Sequence, residues 1–131
     1  MPTSNNEDFQ AVRITEAGSF ERISLARNKV LDSLYGAIGC RYVEVIQATE
    51  TISIWVDEEG LMRRPRPTPN YLATLLAAEL WFGHQVIVGV AVFTGGADSE
   101  GNTLPLGDRD LRLLEDIAER LIPHARSVGQ K

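Results

Sequence analysis

The sequence has few of the side chains that most often carry catalysis or metal binding. Its 131 residues include one cysteine, Cys40, and two histidines, His84 and His124. A single cysteine cannot form a disulfide within the chain, and zinc sites usually combine several cysteine or histidine ligands. We therefore expect no internal disulfide, no bound metal and no cofactor, and we expect the chain to act in a reducing cytoplasm.

Long apolar runs and targeting signals are also missing. The apolar stretch QVIVGVAVF at residues 85–93 is far shorter than the roughly 20 residues of a membrane-spanning helix. The opening MPTSNNEDF has neither the basic residues nor the apolar segment of a signal peptide. The 18 acidic and 13 basic residues give a formal net charge of −5, which disfavours general nucleic-acid binding. These absences favour a cytoplasmic protein without a membrane contact, whose partner is a protein rather than a nucleic acid.

The residues that are present predict one globular α+β domain. Hydrophobic residues make up 44% of the chain and charged residues 24%, as in ordinary folded domains of this length. Apolar spacing predicts an antiparallel or mixed sheet of four to six strands, with helices near residues 28–38, 69–81 and 108–125. The domain is expected over residues 9–126, between flexible ends at residues 1–8 and 127–131.

The strands are predicted from alternation and from turn residues. A hairpin is expected around the turn EAGS at residues 16–19, followed later by strands in RYVEVIQA and TISIWVD. QVIVGVAVF is typical of a central strand covered on both faces, with Gly89 marking a bulge or a close backbone neighbour. Thr68 and Pro69 resemble the N-cap and first turn of the second helix.

The segment TISIWVDEEGLMRRPRPTPN joins an acidic turn to a basic, proline-rich connector. The carboxylates at residues 57–59 lack the spacing of a metal site, and we interpret them as a solvated turn. Arg63, Arg64 and Arg66 lie in this proline-rich connector and could hold a phosphate or an acidic partner; the alternative is a solvated loop paired with its own acidic turn. We predict these arginines as partner-binding residues, together with Trp55 on the less buried side of its strand.

A second set of polar residues, Asp57, Asn70 and Thr94, is predicted to be structural or to line a pocket. Asn70 follows Pro69 in the expected first helical turn, where a short amide can bind neighbouring backbone groups. We therefore predict that Asn70 is structural and buried or half-buried. The sequence TGG at residues 94–96 follows a strand, but no helix start comes after it, so a phosphate-binding loop is not predicted.

Several short motifs also occur in a familiar order. They are VEVI at residues 43–46, VDEEG at 56–60, Asn70 with AT at 73–74, and IVGVAVFTG at 87–95. With these motifs the chain resembles, over residues 12–106, a family of small uncharacterised proteins from bacteriophages, prophages and plasmids. Fewer residues usually separate the acidic turn from the asparagine in that family, so RRPRPTP is an addition in this chain. The resemblance implies a mobile-element setting and no particular reaction.

Two hypotheses of function follow from these observations. The first is a non-enzymatic accessory protein of a phage or other mobile element that binds a macromolecular partner. The alternative is a small-ligand or nucleotide-binding domain, with at most weak hydrolase activity. A flat surface bearing a tryptophan, or a free strand edge, would favour the first hypothesis. A pocket lined by Asp57, Asn70 and the loop after Thr94 would favour the second.

Overall fold

The computed structural model describes residues 8–63, 65, 68–80 and 85–129. Within these residues the chain forms five β-strands and three α-helices, with single turns of 3-10 helix at Arg27–Lys29 and Gly60–Met62. The α+β fold predicted from the sequence is therefore confirmed. In chain order the main elements are β1 (Asp8–Ile14), β2 (Phe20–Ala26), α1 (Val30–Ile38), β3 (Val43–Gln47), β4 (Ser53–Asp57), α2 (Tyr71–Leu80), β5 (Ala91–Thr94) and α3 (Asp108–Gly129).

The strands form one antiparallel sheet in the order β2-β1-β5-β4-β3. The first two strands are a hairpin, as predicted, and β5 lies in the middle with all four residues buried. In the register of the sheet, Trp55 on β4 lies opposite Val45 on β3 and Val92 on β5. β2 and β3 are the two edges, which places Trp55 one strand in from the β3 edge.

Helices cover the two faces of the sheet unequally. The amphipathic helix α3 packs with α2 over one face, and α1 lies on the other. The core between the sheet and the α2–α3 pair has Leu72, Leu76, Phe93, Leu114 and Ile117 among its buried members. The smaller core under α1 is formed by Phe9, Ala11, Leu25, Leu34, Ile38 and Val92. The molecule thus has three layers, with the sheet in the middle.

The predicted central strand at residues 85–93 is wrong in its first part. β5 begins only at Ala91, and the preceding residues make a single isolated bridge, between Val88 and Pro69. Gly89 has a φ of +74°, a conformation outside the strand region, and its N–H donates to the Thr68 carbonyl at 3.1 Å. These residues therefore bond to the segment before α2 instead of joining the sheet, although they are as apolar as a strand.

The start of α2 also differs from the prediction. Pro69 belongs to an extended bridge and not to the first helical turn, so Thr68 is not the N-cap. The helix begins at Tyr71, and the Asn70 side chain accepts a hydrogen bond from the Ala73 N–H at 3.0 Å. That bond is the standard contact of an N-cap residue. Asn70 therefore takes the capping position that the sequence assigned to Thr68.

The two glycines of the TGG sequence, Gly95 and Gly96, have a structural role, because other backbone segments pass close to them. A Cβ atom on Gly95 would lie 2.3 Å from the Pro105 carbonyl oxygen, and one on Gly96 would lie 2.7 Å from that of Glu50. The Gly95 N–H donates to the Leu104 carbonyl at 2.9 Å. These close backbone contacts hold the start of the loop that follows β5 against residues 104–105 and against the loop between β3 and β4.

Replacing Gly95 with alanine should destabilise the protein by more than about 1 kcal/mol, because backbone atoms must move to admit the methyl group. Gly36, inside α1, has nothing within 4 Å of the corresponding position. Gly36→Ala should instead stabilise by about 0.4–1 kcal/mol, since alanine loses less conformational entropy in a helix. Urea unfolding of both variants measures these changes. A Gly95→Ala variant as stable as the wild type would contradict the proposed close approach.

Candidate functional site

The helix α1 is too short to cover its whole face of the sheet. It has nine residues, and its buried side chains Leu34 and Ile38 pack in the smaller core with Val92. Toward the β3 edge this face stays open: Val45 is 49% exposed, and its cross-strand neighbour Trp55 is only partly buried. The uncovered area therefore lies over β3 and β4.

Trp55 is held in place on this open area by a hydrogen bond. Its indole N–H donates to the Thr94 hydroxyl oxygen at 2.9 Å, and the hydroxyl donates in turn to the Gly95 carbonyl at 2.9 Å. Thr94 is fully buried, and part of the indole packs against the smaller core. Thr94 thus acts as the anchor of Trp55, a role that no local sequence signal indicated.

A cleft of about 710 Å³ opens beside Trp55. One wall is the start of α1 with the 3-10 turn before it, at residues 27–32, and the other is the loop at residues 98–104. We call this the Trp55 cleft. Its lining residues are Arg27, Asn28, Lys29, Val30, Leu31, Asp32, Trp55, Asp98, Gly101, Asn102, Thr103 and Leu104.

The Trp55 cleft has charges of both signs, and some of them are already engaged. The Arg27 guanidinium lies 5.5 Å from the centre of the Phe9 ring, in a cation–π contact. Asp98 accepts bonds at 2.9 Å from the backbone N–H groups of Glu100 and Asn102. The pKa of Asp98 is lowered, chiefly by the backbone hydrogen bond from Asn102. Asp98 therefore stays ionised and shapes the loop that forms one wall.

Exposed apolar side chains border the Trp55 cleft on both walls. Leu31 on α1 is 50% exposed, and Leu104 on the opposite loop is 40% exposed. With Val45 next to Trp55 on the sheet, they form an apolar rim around a partly buried tryptophan. Sequence reasoning missed Leu31, Leu104 and Val45, because the two walls are far apart in the chain and meet only through the sheet order.

The acidic turn and the arginine connector are partly paired with each other. The Arg63 Nε atom lies 2.5 Å from an Asp57 carboxylate oxygen, and the hydrogen bond to Asp57 raises the pKa of Arg63. The other Asp57 oxygen accepts from the Glu59 N–H at 2.9 Å, and Arg41 lies 3.4 Å from Glu59. Asp57 and Arg63 border a separate depression of about 230 Å³ near the end of α1. The side chains predicted at positions 64 and 66 lie outside the described residues.

Asn70 is completely buried, within the range that the sequence predicts. Its amide nitrogen donates to the carbonyls of Ile14 at 2.9 Å and Gly89 at 2.8 Å, and its amide oxygen caps α2 through Ala73. Its backbone N–H donates to the Ile87 carbonyl at 2.7 Å. The polar groups of Asn70 are thus used inside the fold, joining β1, α2 and the segment before β5.

Cys40 is half-buried, and burial, the largest effect, together with the nearby Asp57 raises the pKa of its thiol. Among the described side chains, no group of three His, Cys, Asp or Glu is placed to hold a metal ion. None of the helices in that part of the chain is both long and apolar enough to cross a membrane.

The predicted site residues thus separate into three places. Trp55 and Thr94 lie together at the cleft, Asp57 and Arg63 lie together at the end of β4, and Asn70 lies in the interior. The structure therefore does not join Asp57, Asn70 and the loop after Thr94 in one of the clefts described above. It does leave Trp55 partly exposed at the Trp55 cleft.

The fold is that of a three-layer α+β protein. Comparison with known protein families then identifies the family of the chain. The family model of a domain of unknown function, DUF3846, matches residues 7–121. The chain belongs to this family, whose matched region runs from β1 into α3. Comparisons with curated proteins and with solved structures give no match.

Asn70→Ala should cost about 2–4 kcal/mol of unfolding free energy. The substitution removes two hydrogen bonds to carbonyls, at about 0.5–1.5 kcal/mol each, and a helix cap worth about 1 kcal/mol. The measurement is urea unfolding, with Asn102→Ala as the control, because that asparagine is exposed. A change below a few tenths of a kcal/mol in Asn70→Ala would contradict the structural role.

Proposed function

We propose that this chain is a non-enzymatic binding protein that acts in the cytoplasm as an accessory protein of a phage or other mobile element. Its partner is a protein, which docks over the Trp55 cleft. The proposal rests on one observation: Trp55 is held by its hydrogen bond to Thr94, is partly exposed, and has exposed apolar side chains around it. The mobile-element setting is supported by the sequence resemblance alone.

The geometry of Trp55 suits a protein contact. Tryptophan is enriched among the residues that dominate binding energy, especially when it lies in a pocket at the centre of an interface. The bond to Thr94 fixes the indole before the partner arrives, so less side-chain entropy is lost on binding. The partly exposed Leu31, Leu104 and Val45 surround it, as neighbouring contacts that would exclude water from the centre.

A binding role also agrees with the state of the reactive groups nearby. The Thr94 hydroxyl is buried and both accepts and donates a hydrogen bond, so it is occupied. Asp98 is held by the backbone of its own loop, and the raised pKa of Cys40 keeps its thiol protonated near neutral pH. These groups support structure more readily than they support proton transfer or nucleophilic attack.

One observation favours the alternative of a small ligand or nucleotide. The cleft volume of about 710 Å³ falls within the roughly 300–1,000 Å³ range of small-molecule sites. Arg27 and Lys29 on the α1 wall would suit an anionic group, and the indole of Trp55 would suit a planar ring. Titration of the protein with a panel of nucleotides, followed by Trp fluorescence, distinguishes this alternative from the leading proposal.

Polar substitutions on the rim of the cleft should abolish partner capture without unfolding the protein. The double variant Leu31→Ser with Leu104→Ser removes apolar area from both walls, and we expect at least tenfold lower recovery of the partner. Leu113→Ser is the matched control, because Leu113 is 43% exposed on α3 over the other face. The measurement is quantitative affinity capture of the tagged full chain from its host. Equal recovery by the double variant and the control would reject the Trp55 cleft as the docking surface.

The arginine connector is a second candidate for the same partner. Changing Arg63, Arg64 and Arg66 together to serine should slow association and flatten its dependence on salt, because exposed charges act mainly on the encounter rate. The measurement is binding kinetics with the captured partner at low and moderate salt, after circular dichroism has verified the fold. An unchanged rate and salt slope would exclude the connector and leave the Trp55 cleft as the candidate surface.

A further inference from the structure

The edge of the sheet at β3 is open. In the part of the chain that the structure describes, β3 pairs only with β4, so the backbone groups along its outer side have no strand partner. Five residues, Val43–Gln47, form this edge, and no proline interrupts them. Unpaired edges of this kind readily accept another strand unless some feature of the protein blocks them.

The opposite edge, at β2, is protected by ion pairs. Arg22 on β2 lies 2.5 Å from Glu115 on α3, and Arg13 on β1 lies 2.7 Å from Glu21 on β2. These bridges place paired charges over both faces of the β2 edge and tie it to α3. A new strand there would have to lie beside these charges, whereas no described ion pair involves a residue of β3 itself.

The two sides of β3 differ in chemistry. Val45 points to the same face as Trp55 and is about half exposed, whereas Glu44 points to the α2–α3 face and is also exposed. Glu50, after the strand, and Glu58, after the paired strand β4, are exposed as well. Within the described residues none of these three carboxylates forms an ion pair. The edge therefore presents an apolar side chain on one face and the carboxylate of Glu44 on the other. Glu50 adds a carboxylate beyond one end, and Glu58 adds one at the other end, where Arg41 and Arg63 pair with Glu59 and Asp57.

We propose that the partner contributes an extended segment in which apolar and basic residues alternate, and that this segment adds to β3 as a further strand of the sheet. The proposal deepens the proposed function and rests on it. Because side chains alternate between the faces of a strand, the apolar residues of the segment would lie beside Val45, on the face that also carries Trp55 one strand further in. Its basic residues would lie beside Glu44 and near Glu50 and Glu58.

Strand addition supplies affinity and specificity by separate means. Main-chain hydrogen bonds to the open edge provide affinity that does not depend on sequence, and the alternate side chains select the segment. The net charge of −5 favours approach by a basic segment over an acidic one. The Trp55 cleft lies on the same face as Val45, one strand in from the open edge, so a partner that adds a strand to β3 can contact the cleft with a neighbouring part of its surface.

The test uses the full chain and a short capped peptide of alternating lysine and valine. We expect binding that slows amide hydrogen exchange at residues 43–47. A peptide with the central valine replaced by proline keeps the charge but cannot continue the ladder, and it should bind at least tenfold more weakly. Equal binding of the proline peptide, or unchanged exchange along β3, would overturn the proposal.

Charge exchange at one position tests the side-chain part of the proposal. Glu44→Lys should weaken the lysine–valine peptide at least fivefold and strengthen a glutamate–valine peptide. Glu119→Lys on α3 is the control, because it changes the net charge equally at an exposed site on another element. If both variants shift binding by the same factor, only the overall charge matters and the assignment to the β3 edge is wrong.

The outcomes separate this proposal from the proposed function. Loss of partner capture by the Leu31 and Leu104 double variant, with no protection of β3 by the captured partner, would retain docking at the cleft and reject strand addition. Light scattering that gives a dimer, with the β3 amides already slow to exchange without peptide, would assign the edge to a second copy and also reject the proposal.

Discussion

One buried amide side chain joins the segments on which the rest of the fold depends. Asn70 donates to carbonyls at the end of β1 and just before β5, and it caps α2 through its oxygen. The bonds to the Ile14 carbonyl and from the Ala73 N–H lie in the buried interior, where an unpaired backbone group is costly. Because β5 is the central strand and α2 covers the larger core, the position of Asn70 fixes the sheet against the α2–α3 layer.

The other face depends on how the chain ends α1 and folds the loop after β5. The helix stops at Gly39, whose φ of +80° and bond to the Tyr35 carbonyl at 2.8 Å form a left-handed C-cap. Gly95 lets the loop approach residues 104–105 closely, which builds the second wall of the cleft. The short helix leaves Trp55 half uncovered, and the tight loop gives it a border. The candidate site thus results from two backbone constraints rather than from a group of reactive side chains.

Elements with a clear local pattern could be predicted from the sequence, and long-range contacts could not. The alternation in TISIWVD and the apolar stripe of α3 are visible within a few turns of chain, and both elements form as expected. The apolar residues 85–90 were predicted as part of the central strand, and they do not form it. Apolar composition indicates that a segment is buried, but it does not show which other segment its backbone bonds to. Burial of Asn70 followed from its position before a helix, but its partner Ile14 lies 56 residues away. The two walls of the Trp55 cleft were invisible for the same reason.

The register of the sheet shows how Trp55 lies relative to Asp57 in the acidic turn and to Arg63. Trp55 and Asp57 are alternate residues of β4 and so face the same side, and Asp57 holds Arg63 through their ion pair. β3 runs antiparallel beside them, with Val43 opposite Asp57 and Val45 opposite Trp55. A strand added along β3 would therefore begin or end near Asp57 and its partner Arg63, and at the middle of β3 it would lie one strand away from Trp55. The Asp57–Arg63 pair and Trp55 therefore lie along the same face of the sheet, next to one open edge.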